Sequence, residues 1–181
     1  MNFQNTNKIL KVVISVGDES GIGPEIILKA LCSSQIPKNI DFILVGSKRN
    51  LQNTYKPLRS LGLENLANPK DLKIHNLEIS SADNDSQSSY GNSSFYYLTK
   101  AIELVKQYPN SALVTGPICK KSWSLSGHYF SGQTEVLAKA CGVENVGMLF
   151  TAKSPITSWR FNTLLATTHI ALSEVPKKLN K

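Results

Sequence analysis

The sequence predicts an α/β protein, a mostly parallel sheet flanked by helices. Three observations carry that reading. Short β-branched-rich runs recur at 9–16 (ILKVVISV), 41–46 (DFILVG) and 112–115 (ALVT). They are apolar almost throughout, as strands buried on both faces must be. Segments with a helical apolar period lie between them, and a strand–helix–strand alternation builds a parallel sheet.

Taken in order, residues 9–16 form the first strand, and 17–23 a glycine-containing turn. Pro24 then suits a first helical position, Glu25 favours the positive end of the helix dipole, and Ile27, Leu28 and Leu31 give 24–31 an apolar face. Residues 41–46 are a second strand. Residues 48–61 are a helix that Pro57 is expected to end or kink. Residues 72–79 are a weaker strand, and the serine-rich stretch 80–89 reads as a loop. Asn92 or Ser93 is positioned to cap a helix over 94–108, where Phe95, Leu98, Ile102 and Val105 recur at helical spacing and Pro109 terminates the run. Residues 112–115 are a strand, 134–141 a helix stopped by Gly142, and 146–150 and 163–167 two further strands. Residues 175–179 read as the opening of a helix. No internal repeat is present.

Bulk properties narrow the function classes. The chain has 181 residues, 41% of them hydrophobic, enough for a packed core. Its formal net charge is +7, but the basic residues are scattered and accompany no zinc-finger or RNA-binding motif, so nucleic acid is not expected as a partner. The three cysteines, Cys32, Cys119 and Cys141, form no CxxC pair; with no recognisable secretion signal, they favour a reducing, cytoplasmic setting. No apolar stretch is long enough to span a bilayer, so no membrane is expected.

Three segments could carry chemistry. GDESGIGPE at 17–25 turns from a strand into a helix, where free backbone N–H groups suit an anion, although a tight turn needs the same small residues. It is neither a GxGxxG nor a Walker A pattern. GHYFSGQTE at 127–135 follows TGPICKK at 115–121; Lys120 and Lys121 there fit a solvated face better than a phosphate site. LLATTHIAL at 164–172 places His169 at a strand end, where open α/β sheets put ligands. His75 reads as a surface residue and His128 as a support for the neighbouring motif. Asp18 and Glu25 are accounted for by turn and helix-dipole duties.

Together these motifs resemble the 4-hydroxythreonine-4-phosphate dehydrogenases of pyridoxal phosphate biosynthesis, over nearly the whole chain and over the N-terminal half of that family. The opening motif is also similar, less closely, to that of the isocitrate and isopropylmalate dehydrogenases. The resemblance implies their two-domain architecture, truncated here: residues 1–127 as the N-terminal part of a first α/β domain, and 128–181 as the start of a second, incomplete domain with the substrate and metal motifs. The family has a histidine and a threonine that bind substrate where this chain has Gln133 and Thr134. Thr134 matches. Gln133 departs, and an amide can donate and accept hydrogen bonds but cannot titrate near pH 7. His169 corresponds to a divalent-metal histidine, and the other metal ligands and the catalytic acid/base residues are expected beyond Lys181.

The implied activity is oxidation and decarboxylation of 4-phosphooxy-L-threonine to 3-amino-2-oxopropyl phosphate. It uses NAD or NADP and a divalent cation (Zn, Mg or Co), in a homodimer that shares the metal across its interface. The chain alone is expected to be inactive. Two alternatives stand beside this: a non-catalytic remnant that at most binds a partner, and an isocitrate-type metal-dependent dehydrogenase.

Overall fold

A computed structural model describes residues 9–37, 39–79, 86–167 and 170–179. The chain divides into two compact units, Met1–Gln133 and Thr134–Lys181.

The first unit is built on a four-stranded parallel sheet of order β3-β2-β1-β4. Its strands are β1 (Leu10–Ser15), β2 (Ile40–Gly46), β3 (Ile74–Asn76) and β4 (Ser111–Thr115). Its helices are α1 (Gly23–Leu31), α2 (Lys48–Ser60), α3 (Ser86–Gln107) and α4 (Lys120–Leu125). The central strand β1 pairs with β2 on one side (Val13↔Ile43) and β4 on the other (Val13↔Leu113). Such a strand has no solvent face, which is why its Val12, Val13 and Ile14 are all buried.

The chain steps from β1 through α1 to β2 and through α2 to β3. It then returns through α3 to β4 on the far side of β1. Right-handed crossovers in these two directions place α1 and α2 on one face and α3 on the other. Ile27 and Leu28 of α1, Leu51 of α2, and Tyr97, Ala101 and Leu104 of α3 join Val13, Val16, Leu44 and Val45 in one core. Each aliphatic side chain buried this way contributes about 1.5–3 kcal/mol before chain entropy is subtracted. At the N-terminal end of the strands, Asp41 accepts from Lys11 and Lys73.

The second unit opens with the rest of α5 (Gln133–Cys141), then an antiparallel hairpin of β5 (Leu149–Lys153) and β6 (Arg160–Leu164). A short 3-10 turn (Leu172–Glu174) leads into α6 (Val175–Lys178). Every residue of β5 is exposed. The hairpin turn is organised by Ser154, whose Oγ accepts from Ile156 N and Thr157 N, and Ser158 takes a positive φ of 59°.

Two expectations need correcting, and two further points bear on the sequence reading. The helix expected from 94 begins at Ser86, so the loop expected at 80–89 is helical from there on, and Asn92 and Ser93 lie inside α3 and cap nothing. Residues 80–85 fall outside the described residues. Of the two effects expected of Pro57, ending the helix is not seen: α2 runs through it to Ser60, within one residue of the helix expected over 48–61. The carbonyl this proline leaves without a helical partner belongs to exposed Asn53 in the last turns, where water can reach it. The strands expected at 146–150 and 163–167 are offset, to 149–153 and 160–164, because the hairpin register pairs Leu149 with Leu164. Finally, α4 had no sequence expectation at all.

Candidate functional site

In an open parallel sheet the ligand crevice lies at the carboxyl ends of the strands, where the chain reverses its direction of travel. Here that reversal falls between β1 and β4. The two segments leaving these strands, 16–23 and 116–119, are packed backbone against backbone. Gly116 N donates to Ser15 O at 2.8 Å and Asp18 N to Pro117 O at 2.9 Å. Glycine is required on both sides. A Cβ at Gly17, whose φ is +80°, would lie 2.3 Å from Pro117 O, and one at Gly116 would lie 2.3 Å from Val16 O. The buried Asp18 accepts from both the N–H and the hydroxyl of Ser20, so its carboxylate holds the turn, as expected from the sequence. Glu25 pairs with Lys29 one turn along α1. The N-cap position of α1, Ile22, supplies no side-chain cap.

Gln133 belongs to this crevice. Its Nε2 donates to Gly116 O at 3.0 Å. The Oε1 is buried and has no hydrogen-bond partner among the described residues. Because a carbonyl can be met only by the NH2 end of an amide, Gly116 fixes which way the side chain points and leaves its acceptor end open. Thr134 is the second residue of α5 and therefore lies inside the helix, not at its cap. Next to it in the second unit, Glu135 also has a buried oxygen, Oε2, without a partner among the described residues. His169 lies outside the described residues.

The neighbouring strand ends form a polar cluster that the sequence did not reveal. Tyr97 of α3 donates its hydroxyl to Glu19 and lies 3.2 Å from Leu77 O. Ser47, the N-cap of α2, donates to Glu78 at 3.1 Å and accepts from Asn50 N at 3.0 Å. Burial raises the Glu19 carboxyl above its ordinary range, against the opposing hydrogen bond from Tyr97. Burial and the Glu19 carboxylate together raise the Tyr97 phenol.

A second cluster follows β4. His128 stacks on Phe95 with ring centres 3.8 Å apart, and its Nε2 meets Asn92 Oδ1 at 3.0 Å. Burial lowers its pKa, which favours the neutral ring. His75, read as a surface residue, is half-buried in β3. The Ser122 hydroxyl and the N–H groups of Ser122 and Lys121 lower the Cys119 thiol pKa at the start of α4, without closing a cap hydrogen bond. Lys120 and Lys121 are both exposed. A Cβ at Gly91 would lie 2.0 Å from Ser122 O, so α3 meets α4 backbone to backbone there, a contact for which the sequence carried no signal.

Among the described residues no three His, Cys, Asp or Glu side chains are grouped so as to hold a metal ion. No helix among them is long and apolar enough to cross a membrane.

Comparison with known proteins matches the family model described as "Pyridoxal phosphate biosynthetic protein PdxA" over residues 38–181. A 4-hydroxythreonine-4-phosphate dehydrogenase from Synechococcus sp. is 44% identical over 171 residues, covering 93% of this chain and 51% of the relative. One from Nostoc sp. is 42% identical, covering 93% and 49%. The chain thus spans about half the length of the relatives it matches. Among solved structures, a 4-hydroxythreonine-4-phosphate dehydrogenase from Klebsiella pneumoniae shares the fold with a TM-score of 0.73 at 22% identity, over 98% of this chain and 55% of that one.

Proposed function

The chain belongs to the family of the pyridoxal phosphate biosynthetic protein PdxA, and on that premise we propose that it supplies part of the substrate cleft of a 4-hydroxythreonine-4-phosphate dehydrogenase. The overall reaction removes a hydride from the carbinol carbon of 4-phosphooxy-L-threonine and a proton from its hydroxyl. The resulting β-keto acid loses carbon dioxide to leave 3-amino-2-oxopropyl phosphate. An NAD-type cofactor accepts the hydride when bound, and a divalent cation polarises the substrate oxygen. The described residues form no metal cluster, so no step here runs through the ion. His169 is proposed as one of its ligands on the strength of the TTHIAL motif alone.

The observation that carries the reading is the position of Gln133. It is held by Gly116 at the reversal point of the sheet, with a buried acceptor oxygen that has no partner among the described residues. Gln133 orients a substrate hydroxyl or ammonium by accepting its hydrogen bond, and Thr134 offers a hydroxyl one residue on. The glycines on either side let the two segments leaving β1 and β4 pack backbone against backbone, which fixes the Gly116 carbonyl that holds Gln133. Gln133 cannot exchange a proton near pH 7, so the acid/base groups are assigned to the part of the relatives' length that this sequence does not span. Residues 128–181 are read as the start of a second, incomplete domain, the partner as a second copy, and the compartment as the cytoplasm.

The same non-titrating Gln133 favours one alternative, a non-catalytic chain that only binds. NAD reduction with 4-phosphooxy-L-threonine and a divalent cation separates the two. The assay is run on this chain alone and with a polypeptide holding the unmatched half of the Synechococcus relative. Turnover in the mixture, lost on Gln133→Leu, supports the enzyme reading. A stable mixture that never turns over, even with Gln133→His, supports the other.

A further inference from the structure

We propose that Glu19, Tyr97 and the Leu77 carbonyl form a proton-operated latch that ties the turn leaving β1 to the segment leaving β3. Three oxygen groups meet here with too few protons between them. The Tyr97 hydroxyl is within hydrogen-bond reach of Glu19 Oε1 and of Leu77 O, the latter at 3.2 Å. A phenol has one proton, and an ionised carboxylate and a carbonyl only accept. With Glu19 ionised, Tyr97 can therefore satisfy one of the two. With Glu19 protonated, the carboxylic acid donates to Tyr97 and Tyr97 donates to Leu77, so every group is met. Tyr97 is 1% exposed, which leaves its hydroxyl to these partners and not to bulk water.

The surroundings favour the protonated form. Glu78, just after β3, faces Glu19 with a second carboxylate, and Arg49 of α2 faces it with a cation. Arg49 is exposed and lies 3.7 Å from Glu78, so much of its charge is engaged there and screened by solvent. The Ser47 N–H at the start of α2 also reaches the Glu19 carboxyl. Asp18, the other carboxylate of the turn, is taken up by Ser20. Burial is the largest influence on Glu19 and resists its ionisation, with Glu78 acting in the same direction.

The part that moves is the end of β3. This strand has three residues and lies at the edge of the sheet. Beyond it, Leu77 N donates to Gly46 O at 3.1 Å and Glu78 accepts from Ser47 Oγ. A short edge strand opens at low free energy, so the loss of one donor at its end is felt first there. The latch is shut while Glu19 holds its proton. As pH rises through the folded-state value of Glu19, Tyr97 turns to the carboxylate and the β3 end is released. The latch needs neither a substrate nor the proposed reaction.

Carbon-13 NMR of the intact chain, labelled at the glutamate carboxyls and the Leu77 carbonyl, tests it. The Glu19 carboxyl should titrate above the ordinary carboxylate range, and the Leu77 carbonyl shift should move with the same midpoint. Protection of the Leu77 amide from hydrogen exchange should fall over the same interval. In Tyr97→Phe, Glu19 should titrate at a still higher midpoint, because a hydrogen bond to its ionised form is gone, and the Leu77 response should vanish. Glu19→Gln should abolish that response too. Glu78 adjoins Leu77, so the response is also read in Glu78→Gln, where it should persist. Circular dichroism verifies folding; if Tyr97→Phe does not fold, Glu19→Gln and the two midpoints of the unaltered chain still decide. Three outcomes overturn the proposal: a Leu77 carbonyl that does not move with Glu19; a response that survives Tyr97→Phe or Glu19→Gln, or is lost in Glu78→Gln; or a Glu19 midpoint at or below the ordinary carboxylate value.

Discussion

Trp123 is wholly buried, and its indole N–H donates to Ser94 Oγ at 2.8 Å while its ring meets Phe95 edge-on. Removing the ring opens a cavity, so Trp123→Ala should cost about 3–5 kcal/mol by urea denaturation. Trp123→Phe keeps most of the packing but removes the hydrogen bond to Ser94, whose hydroxyl still donates to Gly91 O, at about 0.5–1.5 kcal/mol. Glu19 gives the opposite kind of test. Its carboxyl pKa is raised in the folded chain, so the folded state holds the proton more tightly than the unfolded one. Stability is therefore fullest below the ordinary carboxylate pKa and declines as pH rises through the higher, folded value. Glu19→Gln should remove that decline above pH 4.5, because the amide still accepts from Tyr97 and carries no charge to bury. Denaturation midpoints that fall equally with pH in both proteins would contradict this. At the same scale, Thr134 and Gln133 were named as site residues from their motif. The pairing of Gln133 with Gly116 was not legible, because it joins positions 17 residues apart across the sheet's end.

At the scale of elements, α2 tolerates a proline three residues before its end. Proline inside a helix is about 3 kcal/mol worse than alanine, and part of that is recovered where the freed carbonyl meets water. Pro57→Ala should raise stability by about 1–2 kcal/mol, seen as a higher melting temperature; a lower one would mean that proline's restriction of the unfolded chain dominates. The early start of α3 has a tertiary cause. Its extra turns are packed by α4: Gly91 lies under the Ser122 carbonyl, and Asn92 meets His128. A serine-rich segment has no helical signal of its own to set against that packing. The strands β1 and β2 and helix α1 were legible because their apolar spacing and their burial coincide. The β5–β6 strands were displaced because their residues are nearly all exposed, so hydrophobicity carried no register information.

At the scale of the molecule, the two units differ in what supports them. The first encloses a common core drawn from β1, β2 and three helices. In the second, Val136 is the sole buried hydrophobic residue among those described. A two-stranded hairpin with exposed faces is marginal in water. Amide hydrogen exchange should therefore find β1 protected to nearly the global unfolding free energy and β5–β6 exchanging orders of magnitude faster. Protection in the hairpin equal to that in β1 would refute this.

The α/β class, the order of the strands along the chain and the family were determined by the sequence itself. Each depends on local patterns: apolar runs of the right length, glycines where backbones touch, and short motifs that survive without knowledge of their neighbours. The strand order β3-β2-β1-β4, the reversal point beside Gly17 and Gly116, and the Glu19–Tyr97 pair were decided only by tertiary structure. All three depend on contacts between residues far apart in the chain, and their energies exist only once the chain has closed on itself.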